Sequence, residues 1–393
     1  MKKILIIEDD QIVANVYRNK LVVEGYQTEA SPDGESGLKL LRTFRPDAVV
    51  VDLILPQMSG VDVIKQIRAE PEFSKLPIIV LSNTYLTNLI RDAWKAGASK
   101  CVSKINCSPK ALVDLMRQTI GESGAMKQAG RKIENPLALK PTPIGRETEI
   151  SFQDNLRKTF VANLPATLSA LRADLQNLTK AANEEARLKH IHELYRRVHA
   201  INGVAALSGL AQIAHMTTAF EALLKEMHEN PRTINESTLR TVTAAVDFFG
   251  FLFEHGIQPD KQEIPPASIL VVDDEAISRR AIIFALEKAH LPSVTVEDPN
   301  AALKLLSEKL YDIVFLDVLL PGMTGYELCT KLRELPMHKK TPVVFVTHLS
   351  DFDNRAKSTM VGGNDFITKP FLFVELTVKA LIYVLRGKLQ PAT

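Results

Sequence analysis

Two blocks of this chain repeat one pattern of apolar runs and polar residues at a constant separation. The repeated positions, each pair 265 residues apart, are Asp9 and Asp274, Asp52 and Asp317, Ser82 and Thr347, and Lys104 and Lys369. In each block, short apolar runs such as KILII and SILVV alternate with amphipathic stretches such as Gly34 to Phe44. Continuous Val/Ile/Leu runs separated by helical periods are typical of parallel strands that helices cover on both faces. The pattern predicts the α/β class, with one doubly wound parallel sheet in each block.

The segment between the blocks shows helical periodicity and no strand-like run. We expect it to form an all-α bundle of four or five helices, with Pro165 in the first turn of one of them. Stretches rich in Pro, Gly and charged residues border it and suit exposed connectors. The predicted domains are an α/β block at 1–121, a helical bundle at 148–257 and an α/β block at 268–389, joined by linkers at 122–147 and 258–267.

Charge, hydropathy and cysteine usage exclude several classes of function. The 48 Lys and Arg residues nearly balance the 46 Asp and Glu residues, so no global field favours nucleic acid or an anionic membrane. No apolar stretch approaches the roughly 18 residues needed to cross a bilayer. The three cysteines show no CxxC spacing and suit reduced thiols. We expect a cytoplasmic protein that binds neither nucleic acid nor membrane.

Acidic residues end two apolar runs in each block. Glu8 and Asp9 follow the first run, and Asp52 ends the third. Because ligands of such sheets bind at the carboxyl ends of the strands, these three carboxylates should converge there. Three anions repel one another unless a cation joins them, and an all-oxygen cluster favours Mg²⁺. The second block repeats this predicted metal site with Asp273, Asp274 and Asp317.

A hydroxyl and an ammonium group complete each predicted site. Ser82 and Thr347 lie 30 residues after the acidic strand end, and Lys104 and Lys369 lie 52 residues after it. With the metal ion, these groups suit a phosphoryl group carried on a carboxylate nucleophile.

The motifs IIEDD, VVVDLILPQMSG, VLSN and VSK, and their second copies LVVDDE, VFLDVLLPGMTG, FVTH and ITKP, resemble receiver domains of two-component response regulators. The resemblance implies flavodoxin-like folds with five-stranded parallel sheets. It also implies that Asp52 and Asp317 are phosphoacceptors and that the acidic residues beside them hold Mg²⁺. By the same resemblance, the hydroxyl and lysine positions bind the phosphoryl oxygens and respond to them.

The two copies differ where the family has its switch residues. Phe366 fits the aromatic switch position, whereas Cys101 does not, and Pro370 follows the lysine where the first copy has Ile105. A cis bond before a residue other than proline costs about 2.5 to 4 kcal/mol, so the first loop should be trans. We expect the usual allosteric switching in the second block and altered switching in the first.

Aliphatic residues stand two positions after each acceptor, Ile54 in the first block and Leu319 in the second. Neither side chain can orient a hydrolytic water, so we expect slow self-hydrolysis of the phosphoryl group.

One histidine of the central segment stands apart from the apolar stripe of its helix. His199 lies off the stripe that contains Leu194, Val198 and Ile201, and Gly203 follows one turn later. Glycine within a helix costs about 1 kcal/mol relative to alanine. Its presence here indicates that another part of the protein or a partner approaches the helix closely at Gly203. The other histidines of the segment are expected on solvated helix faces: His190, His192, His215, His228 and His255.

The stretch HAINGVAALSG resembles a histidine phosphotransfer (HPt) domain. The resemblance implies that His199 carries a phosphoryl group, because a neutral ring nitrogen can attack an acyl phosphate and later return the group. Asn202 occupies the position of the lysine in the family motif. Arg196, one turn away, is our hypothesis for the substitute cation.

These features predict a phosphorelay protein of two-component signal transduction rather than an enzyme, since the sequence holds no nucleotide-binding kinase core. A histidine kinase or another phosphotransfer protein would load one aspartate, and His199 would connect it to the other. Two alternatives stay open at this point. The chain could be the regulatory part of a larger effector, such as a nucleotide cyclase with an output domain beyond Thr393, or the bundle could serve only for docking or dimerisation. A homodimer formed through a receiver is a further expected partner.

Overall fold

The computed structural model describes residues 1–82, 87–104, 107–121, 144–257, 266–348 and 358–390. The strands are β1 (Lys3–Ile7), β2 (Gln27–Ser31), β3 (Ala48–Asp52), β4 (Ile78–Ser82), β5 (Lys100–Ser103), β6 (Ile269–Val272), β7 (Ser293–Val296), β8 (Ile313–Leu316), β9 (Val343–Thr347) and β10 (Asp365–Thr368). The helices are α1 (Gln11–Val23), α2 (Gly34–Phe44), α3 (Gly60–Ala69), α4 (Thr87–Ala96), α5 (Pro109–Gly121), α6 (Ile144–Thr179), α7 (Glu184–Leu207), α8 (Ala211–Glu229), α9 (Glu236–His255), α10 (Ala276–Lys288), α11 (Pro299–Glu308), α12 (Gly325–Glu334) and α13 (Phe373–Leu389).

The first α/β block folds around a parallel sheet with the strand order β2-β1-β3-β4-β5. Alternate residues of β1 enter opposite cores, with Leu5 and Ile7 on one side of the sheet and Ile4 and Ile6 on the other. Both faces are therefore covered, which explains why the strand sequences are continuously apolar.

The second block repeats this topology, with the strand order β7-β6-β8-β9-β10 and parallel pairing throughout. The predicted fold class, two five-stranded parallel sheets separated by a helical segment, is confirmed.

Four long helices, α6 to α9, lie within residues 144–257. The placement of Pro165 in a first turn was wrong, because it lies inside α6. Proline removes one backbone donor from a helix interior. Here Leu164 and Leu171 are nevertheless buried on either side of it, and burial of this apolar stripe offsets the lost hydrogen bond.

By its internal contacts the chain divides into two compact units. One comprises Met1–Asn163 and Ala200–Ala214, and the other comprises Leu164–His199 and His215–Thr393. Each unit thus combines one α/β block with part of the helical segment. The predicted linkers at 122–147 and 258–267 lie largely outside the described residues, and the predicted domain boundaries stay predictions. Among the helices of the described ranges, none is long and apolar enough to cross a membrane.

Candidate functional site

The acidic residues of the first block meet at the carboxyl edge of its sheet. Strands β1 and β3 are neighbours, with Ile7 opposite Val51, so the residues that follow β1 lie beside the end of β3. Glu8, Asp9 and Asp52 each place a carboxylate oxygen within 4.8 Å of the others. This cluster could hold a metal ion, and its donors are all oxygens, as Mg²⁺ prefers.

Lys104 enters the same cluster from the turn after β5. Its Nζ donates to Asp52 Oδ2 at 2.6 Å and to Glu8 Oε1 at 3.0 Å. Burial lowers the pKa of Lys104, but the charges of Asp52 and Glu8 and their hydrogen bonds outweigh it and raise that pKa well above its ordinary value. The lysine is therefore a fixed cation beside the Asp52 carboxylate. The backbone N–H of Ile54 donates to the other oxygen, Asp52 Oδ1, at 3.2 Å.

The second block builds the same arrangement at the edge of its own sheet. Asp273, Asp274 and Asp317 each offer an oxygen within 4.8 Å of the others. Lys369 Nζ lies 2.6 Å from Asp317 Oδ2 and 3.0 Å from Asp273 Oδ2. Leu319 N donates to Asp317 Oδ1 at 3.2 Å. The two sites thus share their hydrogen-bond pattern as well as their spacing in the sequence.

Burial dominates the electrostatics of the second site. It raises the pKa of Asp317 above its ordinary value, even though the hydrogen bond and charge of Lys369 act to lower it. The pKa of Lys369 is lowered by burial but raised, on balance, by its bonds to Asp317 and Asp273. Each group therefore offsets part of the cost of burying the other.

The second site includes two side chains that the sequence did not single out. Ser278 Oγ donates to Asp273 Oδ2 at 2.6 Å, and Asp273 Oδ1 accepts from Glu275 N at 2.9 Å. Glu275 Oε2 also lies 3.5 Å from Lys369 Nζ. A serine in the first turn of α10 was a weak signal, because nothing in its spacing separates it from ordinary surface serines.

The predicted hydroxyl positions end equivalent strands. Ser82 is the last residue of β4 and pairs with Ser103 of β5. Thr347 is the last residue of β9, is buried, and pairs with Thr368 of β10.

The predicted switch positions differ between the blocks. Phe366 is buried on β10, whereas Cys101 is a partly buried residue of β5. The Lys369–Pro370 bond is cis. The bond predicted to be trans, between Lys104 and Ile105, lies outside the described residues.

His199 lies on α7 and is 8% exposed. Its Nδ1 lies 2.9 Å from Oε1 of Glu221 on α8, and its ring stacks on Tyr195 with the centroids 6.1 Å apart. Since a carboxylate only accepts hydrogen bonds, Nδ1 carries the proton and Nε2 the lone pair. Glu221 was missed because a lone glutamate on another helix has no sequence signal.

The other predicted neighbours of His199 fall into two groups. Arg196 is exposed on α7, whereas Asn202 is buried. Gly203 faces α1, where an added Cβ would lie 2.7 Å from Val13 Cγ2 and 3.1 Å from Asp10 Oδ2. A Cβ at this position would force the Val13 side chain to shift, so glycine suits the close approach of the two helices.

One further histidine departs from the prediction of solvated helix faces. His215 is 6% exposed. Burial, then the charge of His290, lowers its pKa to about 4, while a hydrogen bond to the backbone of Ala289 acts to raise it.

Comparison with known proteins gives matches over the blocks and the helical segment. A family model of the response regulator receiver domain matches residues 4–117 and 269–381, together more than half of the chain. A model of the Hpt domain matches residues 155–247.

Individual relatives match over about one block. The chain is 36% identical over 111 residues to the phosphate regulon transcriptional regulatory protein PhoB of Escherichia coli (strain K12), covering 28% of this chain and 48% of PhoB. It is 38% identical over 116 residues to the transcriptional regulatory protein ResD of Bacillus subtilis (strain 168), covering 29% of this chain and 47% of ResD. The chain thus spans about half the length of these curated relatives. Among solved structures, the receiver domain of the Francisella response regulator 1452 is 28% identical with a TM-score of 0.29, covering 30% of this chain and 98% of that one.

Proposed function

Because the chain belongs to the response regulator receiver family and carries an Hpt domain between two receivers, we propose that it relays phosphoryl groups among Asp52, His199 and Asp317. Receiver and Hpt domains are the parts of two-component phosphorelay signalling. The observation that carries the residue assignment is the equal geometry of the two Asp–Lys pairs, with Nζ to Oδ2 distances of 2.6 Å in both receivers.

Mg²⁺ is the proposed cofactor of both receivers. The ion would be held by Glu8, Asp9 and Asp52 in the first receiver and by the equivalent acids in the second, and it would neutralise phosphoryl charge. The chain's own residues orient the acceptor. Lys104 and the N–H of Ile54 each hold one oxygen of Asp52, which fixes the carboxylate for in-line attack.

We assign the attacking atom of the carrier to Nε2 of His199. When Nε2 attacks the phosphorus of a phosphoaspartate, an N–P bond forms and the P–O bond to the carboxylate breaks. The Asp carboxylate leaves with the electron pair, and the positive charge of the ring is stabilised by Glu221 through the Nδ1 proton. The reverse reaction returns the group to an aspartate. Arg196 is the proposed cation near the transferred group, in place of the motif lysine at Asn202.

We propose that a histidine kinase or another phosphotransfer protein loads the relay, because receiver and Hpt domains exchange phosphoryl groups with such partners. Slow self-hydrolysis, proposed from Ile54 and Leu319, would preserve the label between transfers. Leu319 is 56% exposed and donates only its backbone N–H to Asp317, which fits that proposal.

The relay is tested by loading the full chain with a labelled phosphodonor and Mg²⁺, with Asp52→Asn, Asp317→Asn and His199→Gln variants alongside. Phosphohistidine survives base and phosphoaspartate does not. We expect base-stable label in the parent chain and its loss in His199→Gln. An aspartate variant whose remaining aspartate takes up the phosphoryl group should keep the base-stable label. An unchanged label pattern in His199→Gln would remove the histidine from the relay.

A further inference from the structure

Helices α7 and α8 are joined by a short turn and lie antiparallel, so that their side chains meet in a regular register. His199 on α7 contacts Glu221 on α8, with Nδ1 2.9 Å from Oε1. Seven residues earlier on α7 and seven residues later on α8 stand His192 and His228, whose ring centroids are 5.0 Å apart. Seven residues are about two helical turns, or roughly 10.5 Å along each axis. The two helices therefore bring two imidazoles together at the next contact along from the proposed carrier.

We call His192 and His228 the histidine pair. Both residues are exposed. Over the ranges that the structure describes, neither imidazole has a hydrogen bond or an ion pair with the protein, and their recorded contacts are with aromatic rings. The buried His338 differs, because its Nδ1 lies 2.9 Å from Thr341 Oγ1 and its Nε2 lies 2.8 Å from Leu306 O. The ring nitrogens of the histidine pair are thus available to a ligand from solution.

The distance between the two rings fits a pair of imidazoles that share one metal ion. A ring nitrogen lies about 1.1 Å from its ring centroid and bonds Zn²⁺ at about 2.0 to 2.1 Å, so two imidazoles at a tetrahedral angle place their centroids about 5 Å apart. The observed separation is 5.0 Å. Ring packing alone allows a wider range, about 4.5 to 7 Å, so the chemistry around the rings has to distinguish the two arrangements.

The surroundings of the histidine pair suit a cation that prefers nitrogen ligands. Burial, then the charges of His228 and Arg196, lowers the pKa of His192, which favours the neutral ring that metal ligation requires. Glu193 acts in the opposite direction through its negative charge, and that charge also favours a bound cation. Imidazole suits Zn²⁺, Cu²⁺ and Ni²⁺, whereas Mg²⁺ prefers oxygen. The histidine pair and the acidic clusters of the receivers should therefore select different ions.

We propose that the histidine pair binds one divalent metal ion that prefers nitrogen ligands, such as Zn²⁺, and that this ion links α7 to α8. The two imidazoles are its protein ligands, and the exposure of both rings leaves the remaining coordination positions open to water. The site is separate from the groups assigned to phosphoryl transfer. It stands whether or not His199 carries a phosphoryl group.

A shared ion would hold the end of α8 against α7. His228 is the penultimate residue of α8, and helix ends fray in the absence of restraints. An ion that binds only when the two rings are together stabilises that arrangement by mass action, so it should slow hydrogen exchange at this end of α8. Because the same two helices carry His199 and Glu221, the ion would also restrain the helix pair to which we assign the carrier.

The test titrates Zn²⁺ into the full chain after a chelator has removed bound metal, with excess Mg²⁺ present to compete at the acidic clusters. Calorimetry compares the parent with His192→Gln and His228→Gln, and hydrogen exchange follows residues 222–229. We expect each substitution to weaken Zn²⁺ binding roughly tenfold or more, because even the partners that orient metal ligands contribute 10- to 100-fold. Zn²⁺ should slow exchange in this segment of the parent and leave it unchanged in both variants.

Two control variants separate the histidine pair from its neighbours. His190 is two residues from His192 and so projects from another side of α7, which makes His190→Gln the matched control. His199→Gln removes the proposed carrier and leaves the histidine pair intact. Both controls should bind Zn²⁺ like the parent. Circular dichroism checks that the helices are kept, and alanine at positions 192 and 228, with its high helix propensity, provides a second pair of variants.

Several outcomes would overturn the proposed site. Absence of Zn²⁺ binding, or equal binding by the parent, His192→Gln and His228→Gln, would exclude it. Weaker binding in only one of these two variants would place the ion on a single imidazole, and an equal loss in His199→Gln would place it at the carrier. The base-stable label that tests the relay does not depend on these results, so failure of the metal site is distinguishable from failure of phosphoryl transfer.

Discussion

The hydrogen bond between His199 and Glu221 sets the tautomer of the proposed carrier. Replacing Glu221 by Gln keeps an acceptor for Nδ1–H but removes the charge that stabilises the phosphorylated ring. A hydrogen bond to a charged group contributes about 1.5 kcal/mol or more, so transfer to His199 should slow by roughly tenfold or more. Rapid-quench measurement of base-stable label gives the rate. Glu229→Gln, at the exposed end of the same helix, should transfer like the parent, and equal rates in the two variants would exclude the positioning role.

The buried His215 makes stability depend on pH. The unfolded chain protonates this ring below its ordinary pKa of 6.5, whereas the folded chain does so only near 4. Because the unfolded state binds the extra proton, the free energy of unfolding should fall as pH falls through this window, by up to about 3 kcal/mol. Urea unfolding between about pH 7 and pH 5 covers the upper part of this window, about 2 kcal/mol of the change. His215→Gln should reduce the dependence of the unfolding free energy on pH, whereas the control His190→Gln should not. The same pH dependence in the parent and both variants would contradict the assignment to His215.

At the level of single residues, repetition is what made the receiver sites predictable. Asp52 ends β3 and Lys104 directly follows β5, and their side chains meet because the ends of parallel strands share one edge of the sheet. Glu221 could not be found in this way. Its partner His199 lies on another helix, and an isolated glutamate on a helix looks the same whether it is solvated or buried. The burial of His215 was missed for the same reason.

At the scale of elements, the helix that follows each acceptor strand must begin with glycine. A Cβ at Gly60 would lie 2.0 Å from Asp52 O, and one at Gly325 would lie 2.0 Å from Asp317 O. Backbone atoms cannot rotate away, so alanine at either position should destabilise its own receiver by about 3 kcal/mol. Hydrogen exchange measures the two receivers separately, because the amides of β1 and β3 report on the first and those of β6 and β8 on the second.

The matched control is Gly387→Ala, in an exposed turn of α13 where an added Cβ meets nothing within 4 Å. It should raise stability by about 1 kcal/mol or less, since alanine has the higher helix propensity. Gly60→Ala should therefore speed amide exchange in the first receiver, whereas Gly387→Ala should not speed it in the second. If neither variant speeds exchange in its own receiver, the close approach of Gly60 to Asp52 is unimportant for stability.

Elements with strong local patterns matched the sequence closely, and those set by packing did not. The stretch expected as a helix from Gly34 to Phe44 is α2, with the same bounds, because an N-cap side chain from Asp33 marks its start. The bounds of α6 were not predictable. Proline usually marks the beginning of a helix, but tertiary burial around Pro165 overrides that preference.

At the scale of the whole molecule, the unit that contains the first receiver draws on residues from the helical segment. Leu207, near the end of α7, is 3% exposed and belongs to the same core as Ile4, Val13 and Met116, with Leu156 of α6 packed against it. Sequence periodicity placed these leucines on helical faces without indicating what covers them. The two predicted receivers were therefore right as folds, while the sharing of a core with the helical segment came only from the structure.

This shared core makes the stability of the first receiver depend on a residue far outside it. Leu207→Ala removes a buried side chain and should cost about 3 kcal/mol, expressed as faster hydrogen exchange in β1 and β3 but not in β6 and β8. Leu310→Ala, at an exposed site of the second receiver, is the control and should leave both sheets protected. Unchanged exchange in β1 and β3 would mean that the Leu207 side chain contributes little to the stability of this core. The expected loss has a direct consequence for dissecting the relay, because a fragment that ends with α5 would lack Leu207 and report phosphorylation from a less stable receiver than the one in the intact chain.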